Sequence, residues 1–189
     1  MVILNLLLYP LLVSALVSYL LTPVVIRFAK KLKIIDDPKS NRHPKVVHTV
    51  PTPRGGGIPI FFAILTASLI FIPIDRHLMA ILMGALIVAI MGFFFYFFNL
   101  NPYLRFGIGL VAALIPILSG IGISFLTNPL GGVIDLSHPL ISDVFALIWI
   151  VFMMNMLNMG AKGIDGQLTG VTVISALTIT ALSFYYSAD

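Results

Sequence analysis

Residues 78–98 carry no charged side chain and end in six consecutive aromatics, Phe93 to Phe98. A stretch of that length and composition suits the hydrocarbon interior of a bilayer, which a helix of about 20 apolar residues crosses. Five more segments read the same way, at about 2–28, 58–74, 103–126, 144–157 with its flanks, and 168–186. Of the 189 residues, 59% are apolar and 10% charged, and mean hydropathy is +1.09. A soluble domain of this size must clothe itself in polar groups and could not hide so much apolar surface. The expected fold is therefore all-α, a polytopic membrane helix bundle of about six transmembrane helices forming one domain over 1–189. Pro10, Pro23 and Pro116 lie inside expected spans, where neighbouring groups can satisfy a freed carbonyl. The N-terminal run has neither a basic leader nor a small-residue cleavage site and is expected to stay as a span.

Orientation follows from the cations. Arg27, Lys30, Lys31, Lys33, Lys39, Arg42, Lys45 and Arg54 stand at or in the loop after the first span, Arg105 follows the third, and Lys162 follows the fifth. With alternating spans these loops share one side, and only Arg76 lies on the other. The positive-inside rule makes the basic side cytoplasmic and puts the N-terminus outside. The cytoplasmic loops are then about 30–57 and 158–168. Residues 127–142, "TNPLGGVIDLSHPLIS", form an external loop whose Gly-Gly and Pro suggest turns and a small hairpin.

Net charge is +4, but the cations are interleaved with spans, so anionic headgroups or an anionic substrate are the expected partners and nucleic acid is not. There is no Cys, which excludes thiolate chemistry and disulfides. The carboxylate side chains are Asp alone.

Two polar segments interrupt the hydrocarbon pattern. The first is "KLKIIDDPKSNRHPKVVHTVPTPRGGG", residues 31–57. Gly55 to Gly57 at the start of a span allow backbone N–H groups to approach an anion, and Arg54 beside them can fork onto phosphate oxygens. A solvated basic loop built from turn residues is the plainer reading. The second is "NMLNMGAKGIDGQLTG", residues 155–170. Asn155 and Asn158 share nearly one helical face, and Asp165 near those amides could hold Mg²⁺, which favours oxygen ligands. The alternative is a Lys162–Asp165 pair at the water boundary, worth little.

Both segments resemble the polyprenyl-phosphate N-acetylhexosamine-1-phosphate transferase family, which includes undecaprenyl-phosphate GlcNAc-1-phosphate transferases and the MurNAc-pentapeptide transferase. "IIDDPKSNRHPKVVHTVPTPRGGGIPIF" is similar to the family's first cytoplasmic loop, "NLNPYLRFGIGLVAALI" to the opening of its fourth span, and "NMLNMGAKGIDGQLTG" to the loop after span five. The resemblance implies transfer of a sugar 1-phosphate from a UDP-sugar to a polyprenyl phosphate, with Mg²⁺, at the cytoplasmic face of a bacterial-type cell membrane. It implies catalytic roles for Asp36 and Asp165, with Asp165 at the metal. It implies substrate contacts for His48, Arg54, Arg105, Asn155, Asn158 and Lys162.

The chain departs from the pattern in three places. Phe95 and Tyr96 stand where the family usually carries an Asp-Asp pair, and an aromatic ring cannot bind Mg²⁺ as a carboxylate does. Turnover should fall by orders of magnitude. Lys162 replaces the first Asp of the later motif and would repel a metal. The family also has more spans than are read here, so part of the groove is expected to be missing unless a homodimer completes it. Two other functional readings stand beside the transferase. One is a non-catalytic membrane module that binds lipid phosphate. The other is half a transporter, disfavoured because the polar residues gather at the surface and not at the midplane.

Overall fold

The computed structural model describes residues 7–37, 50–98, 101–160 and 167–187. They form six helices: α1 (Tyr9–Lys31), α2 (Gly57–Phe71), α3 (Arg76–Phe98), α4 (Pro102–Leu118), α5 (Pro139–Gly160) and α6 (Gln167–Ser187). Two antiparallel ribbons accompany them, β1 (Ile35–Asp36) with β2 (Thr52–Pro53), and β3 (Phe125–Thr127) with β4 (Val133–Asp135). The fold is all-α, as the hydrophobic runs require. By length and composition α1, most of α3 (Arg76–Phe94) and most of α5 (Pro139–Leu157) can cross a membrane, while α2, α4 and α6 supply shorter apolar helices.

Two compact units are present. One comprises Met1–Asp36 and Thr52–Val151, the other Asp37–Pro51 and Phe152–Asp189. In the first, α1 packs on α2, α2 on α3, and α3 on α4. The buried positions are dominated by small side chains: Ala29, Ala63, Ala80, Ala112 and Ala113, with Gly109 on α4. Small residues let helix backbones approach where lipid leaves no hydrophobic drive between helices. Gly84 shows how close: a Cβ there would stand 2.7 Å from the carbonyl oxygen of Ala112. The outer faces are the reverse, with Leu11, Leu16, Tyr19, Ile60, Ile70 and Ile81 all exposed. Such a surface suits lipid and not water.

Hydroxyls on these helices are satisfied locally. Thr22 donates to the Ser18 carbonyl and Thr66 to that of Phe62. In the second unit α6 does the same, with Thr172, Thr178 and Thr180 each donating four residues back. That pattern removes an unpaired polar group from an apolar surrounding.

The fourth apolar run is read from sequence to residue 126, but α4 stops at Leu118. Gly120, at φ +103, reverses the chain. The Gly120 N–H bonds the Ile117 carbonyl and the Ile121 N–H that of Pro116, the two-bond closure of a helix end that favours glycine. At about 25 Å, α4 is shorter than the hydrocarbon core, and extended chain leads on into the β3–β4 hairpin. The hairpin begins two residues before the external loop expected from sequence.

α3 starts with a side-chain cap. Asp75 Oδ1 accepts the Leu78 N–H at 2.7 Å, and Asp75 Oδ2 lies 3.3 Å from His77 Nδ1. The Leu78 N–H, foremost, holds the Asp75 carboxyl below its ordinary value. A depressed carboxylate stabilises the fold at neutral pH and loses that contribution as pH falls through its folded value. Asp75→Ala should lower the melting temperature by about 2–4 °C at pH 7. That difference should vanish in melts well below the normal carboxylate range, whereas Asp75→Asn, whose cap does not titrate, should stay close to wild type at pH 7 and keep its advantage over Asp75→Ala at low pH. Gly84→Ala should cost about 1–3 kcal/mol by overpacking. Gly92→Ala, whose methyl meets nothing within 4 Å, should stabilise by up to about 1 kcal/mol through helix propensity; thermal unfolding in detergent measures both.

Candidate functional site

The polar end of the first unit is built by the way α1 stops. Ala29 is fully buried in its last turns, and Lys33 turns the chain at φ +57. The Lys33 N–H bonds the Lys30 carbonyl and the Ile34 N–H that of Ala29, the same closure seen after α4. Here a lysine holds the left-handed position, at a cost of about 1–2 kcal/mol relative to glycine. Ile34, buried against this turn, covers the exit, and Lys30 and Lys31 in the last turn complement the negative end of the helix dipole.

From Ile34 the chain runs into β1, which pairs with β2 in the register Ile35↔Pro53 and Asp36↔Thr52. The Arg54 N–H donates to the Ile34 carbonyl at 3.1 Å and extends the ladder by one bond. This register sets Asp36 and Arg54 together: Arg54 Nη2 donates to Asp36 Oδ2 as an ion pair. The Asp36 side chain is 9% exposed and that of Arg54 28%. The pair thus sits at a boundary, with the carboxylate nearly buried and the guanidinium partly exposed.

Gly55 follows at φ +114, a backbone conformation that suits glycine. It fits closely: a Cβ there would lie 3.3 Å from the Phe93 ring and 3.4 Å from Val25. The loop is therefore seated between α1 and α3 before α2 begins. No side chain caps the start of α2, and added side-chain atoms at Gly56 or Gly57 would meet nothing within 4 Å. The Ile58 N–H bonds the Gly55 carbonyl and Pro59 has no N–H, so the N–H groups of Gly56 and Gly57 are the ones at this helix start that an anion can approach.

Arg105 stands in the first turns of α4, half-buried. Asn101 caps that helix, its Oδ1 accepting the Tyr103 N–H at 2.9 Å, and Pro102 opens it, the favoured arrangement for a helix start. The Phe93–Gly55 contact puts the C-terminal part of α3 at the same end of the unit as the start of α2. The short connection from α3 to α4 brings Arg105 to that end too. Asn155 lies on α5 within the second unit. Asn158 is also on α5, its side chain outside the described part, as are those of Phe95 and Tyr96 on α3. His48, Lys162 and Asp165 lie outside the described residues.

Sequence reasoning singled out Asp36 and Arg54 separately and missed that they pair; it gave all three glycines one role, whereas Gly55 serves the turn and Gly56 and Gly57 the open helix start. Phe93 was missed as the surface on which the loop rests. The signal for it was weak, an aromatic among aromatics.

Residues 78–188, from α3 to α6, match the family described as Glycosyl transferase family 4. The chain belongs to this family. Among curated relatives, a probable undecaprenyl-phosphate N-acetylglucosaminyl 1-phosphate transferase of Bacillus subtilis is 31% identical over 90% of the chain and 46% of its own length. The undecaprenyl-phosphate alpha-N-acetylglucosaminyl 1-phosphate transferase of Thermotoga maritima is 28% identical over 92% of the chain and 52% of its own length. A phospho-N-acetylmuramoyl-pentapeptide-transferase of Caldicellulosiruptor bescii is 30% identical over 92% and 57%. The chain thus spans about half the length of the curated relatives it matches. No solved structure matches it.

The metal implied by the resemblance finds no cage here. Among the described residues no group of three or more His or Asp is placed to hold a metal ion, and the carboxylate of Asp36 is committed to Arg54. The described part of the site brings a guanidinium to the start of α2. If the pair acts as a unit, Asp36→Ala and Arg54→Ala should each cost about 1–3 kcal/mol in thermal unfolding. The double variant should then cost less than their sum, with a coupling of about 0.5–3 kcal/mol; additive losses would mean that the two side chains act separately.

Proposed function

We propose that this chain serves transfer of an N-acetylhexosamine 1-phosphate from a UDP-sugar to a polyprenyl phosphate in cell-wall or surface-glycan synthesis. In this reading it is a multi-pass protein of a bacterial-type membrane whose N-terminus is outside and whose Arg54 end faces the cytoplasm. The observation that carries the reading is the Arg54 guanidinium, held by Asp36 beside the uncapped, glycine-rich start of α2. Family membership and the printed activities of the relatives support the same class of reaction.

The chemistry asks an oxygen of the lipid phosphate to attack the β-phosphorus of the UDP-sugar. The bond from that phosphorus to the bridging oxygen breaks, and UMP leaves with the electron pair. Two anions must be brought together, so positioning and charge neutralisation set most of the barrier. Arg54 and the N–H groups at the α2 start hold phosphate oxygens, Asp36 keeps Arg54 in place, and Arg105 adds a second cation at the same end. Mg²⁺ would supply further charge neutralisation when bound, with Asp165 as its carboxylate. Asn155, Asn158, Lys162 and His48 complete the substrate contacts in this assignment.

The test is formation of lipid-linked sugar pyrophosphate from UDP-N-acetylhexosamine in proteoliposomes holding the full chain, with and without Mg²⁺, together with binding of polyprenyl phosphate. Arg54→Ala should weaken lipid-phosphate binding about tenfold, the worth of one hydrogen bond to a charged group, and Arg54→Lys should weaken it less. Transfer should rise by orders of magnitude when Phe95→Asp and Tyr96→Asp are introduced together. Saturable lipid-phosphate binding with no transfer in either form would overturn the enzymatic reading and leave a binding module.

A further inference from the structure

The β3–β4 hairpin has no part in the site just described and lies in the first unit. Its strands pair Phe125↔Asp135, Leu126↔Ile134 and Thr127↔Val133. Paired residues share a face, so Phe125, Thr127, Val133 and Asp135 lie on one face and Leu126 and Ile134 on the other. The second face is apolar; the first is apolar toward the tip, at Val133, and charged at the base, at Asp135. Leu130 at the tip is 95% exposed, and Phe125, Val133 and Ile134 are exposed as well. From Gly107 to Ile134 the chain has no charged residue. The first charge, Asp135, sits at the hairpin's base, where Ser137 N–H and Oγ–H bonds hold its carboxyl below the ordinary range and keep it ionised.

The base is fixed to the helix ends. The Leu136 N–H bonds the Ser124 carbonyl at 2.8 Å. A Cβ on Gly120 would stand 3.3 Å from Arg76 Nη2 and 3.6 Å from His77 Nε2, and one on Gly122 would collide with Ser142 Oγ. The connecting strand therefore lies at the level where α3 and α5 begin. Arg76 and His77 mark that level as a polar boundary, because such side chains at helix ends reach for water. Strands of three residues rise about 10 Å, so the whole hairpin stays near that boundary.

The tip also suits a medium poor in water. Asn128 Oδ1 accepts the Leu130 N–H, and the Asn128 carbonyl accepts that of Gly131. The Asn128 N–H bonds the Gly132 carbonyl, and Pro129 has no N–H to satisfy. The open edges of a two-stranded ribbon still carry unpaired backbone groups, which the hydrocarbon core does not tolerate. An apolar tip with bonded donors, on a ribbon whose edges need water, fits the zone between headgroups and acyl chains.

We propose that the β3–β4 hairpin lies in the lipid–water interface, with Leu130 and Val133 at its tip end among the upper acyl chains and Asp135 at its base among the headgroups, at the end of the unit opposite Arg54. It anchors the connection between α4 and α5 and offsets the shortness of α4. The proposal rests on the membrane reading of the helices and not on the transferase reaction.

The absence of cysteine permits clean site-directed labelling. Leu130→Cys and, separately, Leu20→Cys on the exposed side of the middle of α1 are labelled with an environment-sensitive fluorophore, and the full chain is placed in proteoliposomes containing brominated phosphatidylcholine. The Leu130→Cys label should emit to the blue of its value in water. It should be quenched more by lipids brominated near the head of the acyl chain than by those brominated near its end, and the Leu20→Cys label the reverse. A Leu130→Cys label that emits as in water overturns the proposal. So does one that is blue-shifted yet untouched by any brominated lipid, since a second copy or another segment would then cover the hairpin. Failure of lipid quenching at Leu20→Cys as well would overturn the membrane reading itself.

Discussion

A peptide group in hydrocarbon has no water to bond, and the architecture follows from keeping every such group paired within the chain. Helices solve the problem along their length and create it again at their ends, where four carbonyls are left over. Two of the ends described here use the same remedy. Lys33 after α1 and Gly120 after α4 both adopt positive φ, and in each case two N–H groups fold back onto the last carbonyls. The closures do different work. After α1 the turn launches the ribbon that carries Asp36, whereas after α4 it launches the hairpin at the other end of the unit. Small residues complete the arrangement, because Gly84 against Ala112 lets α3 and α4 approach until backbone meets backbone.

Charge is used as sparingly as backbone exposure. Seven acidic side chains serve the whole chain, and the one that is nearly buried in the described part of the site, Asp36, is matched by Arg54. Burying a lone carboxylate would cost several kcal/mol, so the ribbon register that pairs the two is a condition for folding this end at all. The same register leaves the guanidinium partly open. A single interaction therefore both stabilises the loop and fixes where the guanidinium stands.

Much of the fold was legible in the sequence because lipid imposes a simple rule, about 20 apolar residues per crossing, and residues 78–98 or 9–31 obey it without ambiguity. The early end of α4 was legible in principle: Ser119-Gly120 is a helix stop, but the apolar residues beyond it masked the signal. The site was harder. Asp36 and Arg54 are 18 residues apart, and their pairing depends on a strand register too short to leave a periodic pattern. Gly55 looked like its two neighbours until its φ and the Phe93 ring beneath it distinguished them. Asp165, Lys162 and His48 lie outside the described residues, so their expected roles stand on the resemblance alone.

The aromatic run at the end of α3 gains a physical meaning from that same contact. Phe93 is the surface against which Gly55 rests, and Phe95 and Tyr96 follow within one helical turn. Positions 95 and 96 on the α3 backbone therefore stand at the end where Gly55 meets that helix. In the proposed reaction, carboxylates at these positions would draw a divalent ion, which takes oxygen ligands, and aromatic residues would not. Lys30 and Lys31 close α1 and Lys33 turns the chain at this end, and Asp36 is held by Arg54. In the proposed reaction, positions 95 and 96 bear on turnover and Arg54 on lipid-phosphate binding, so substitution separates the two.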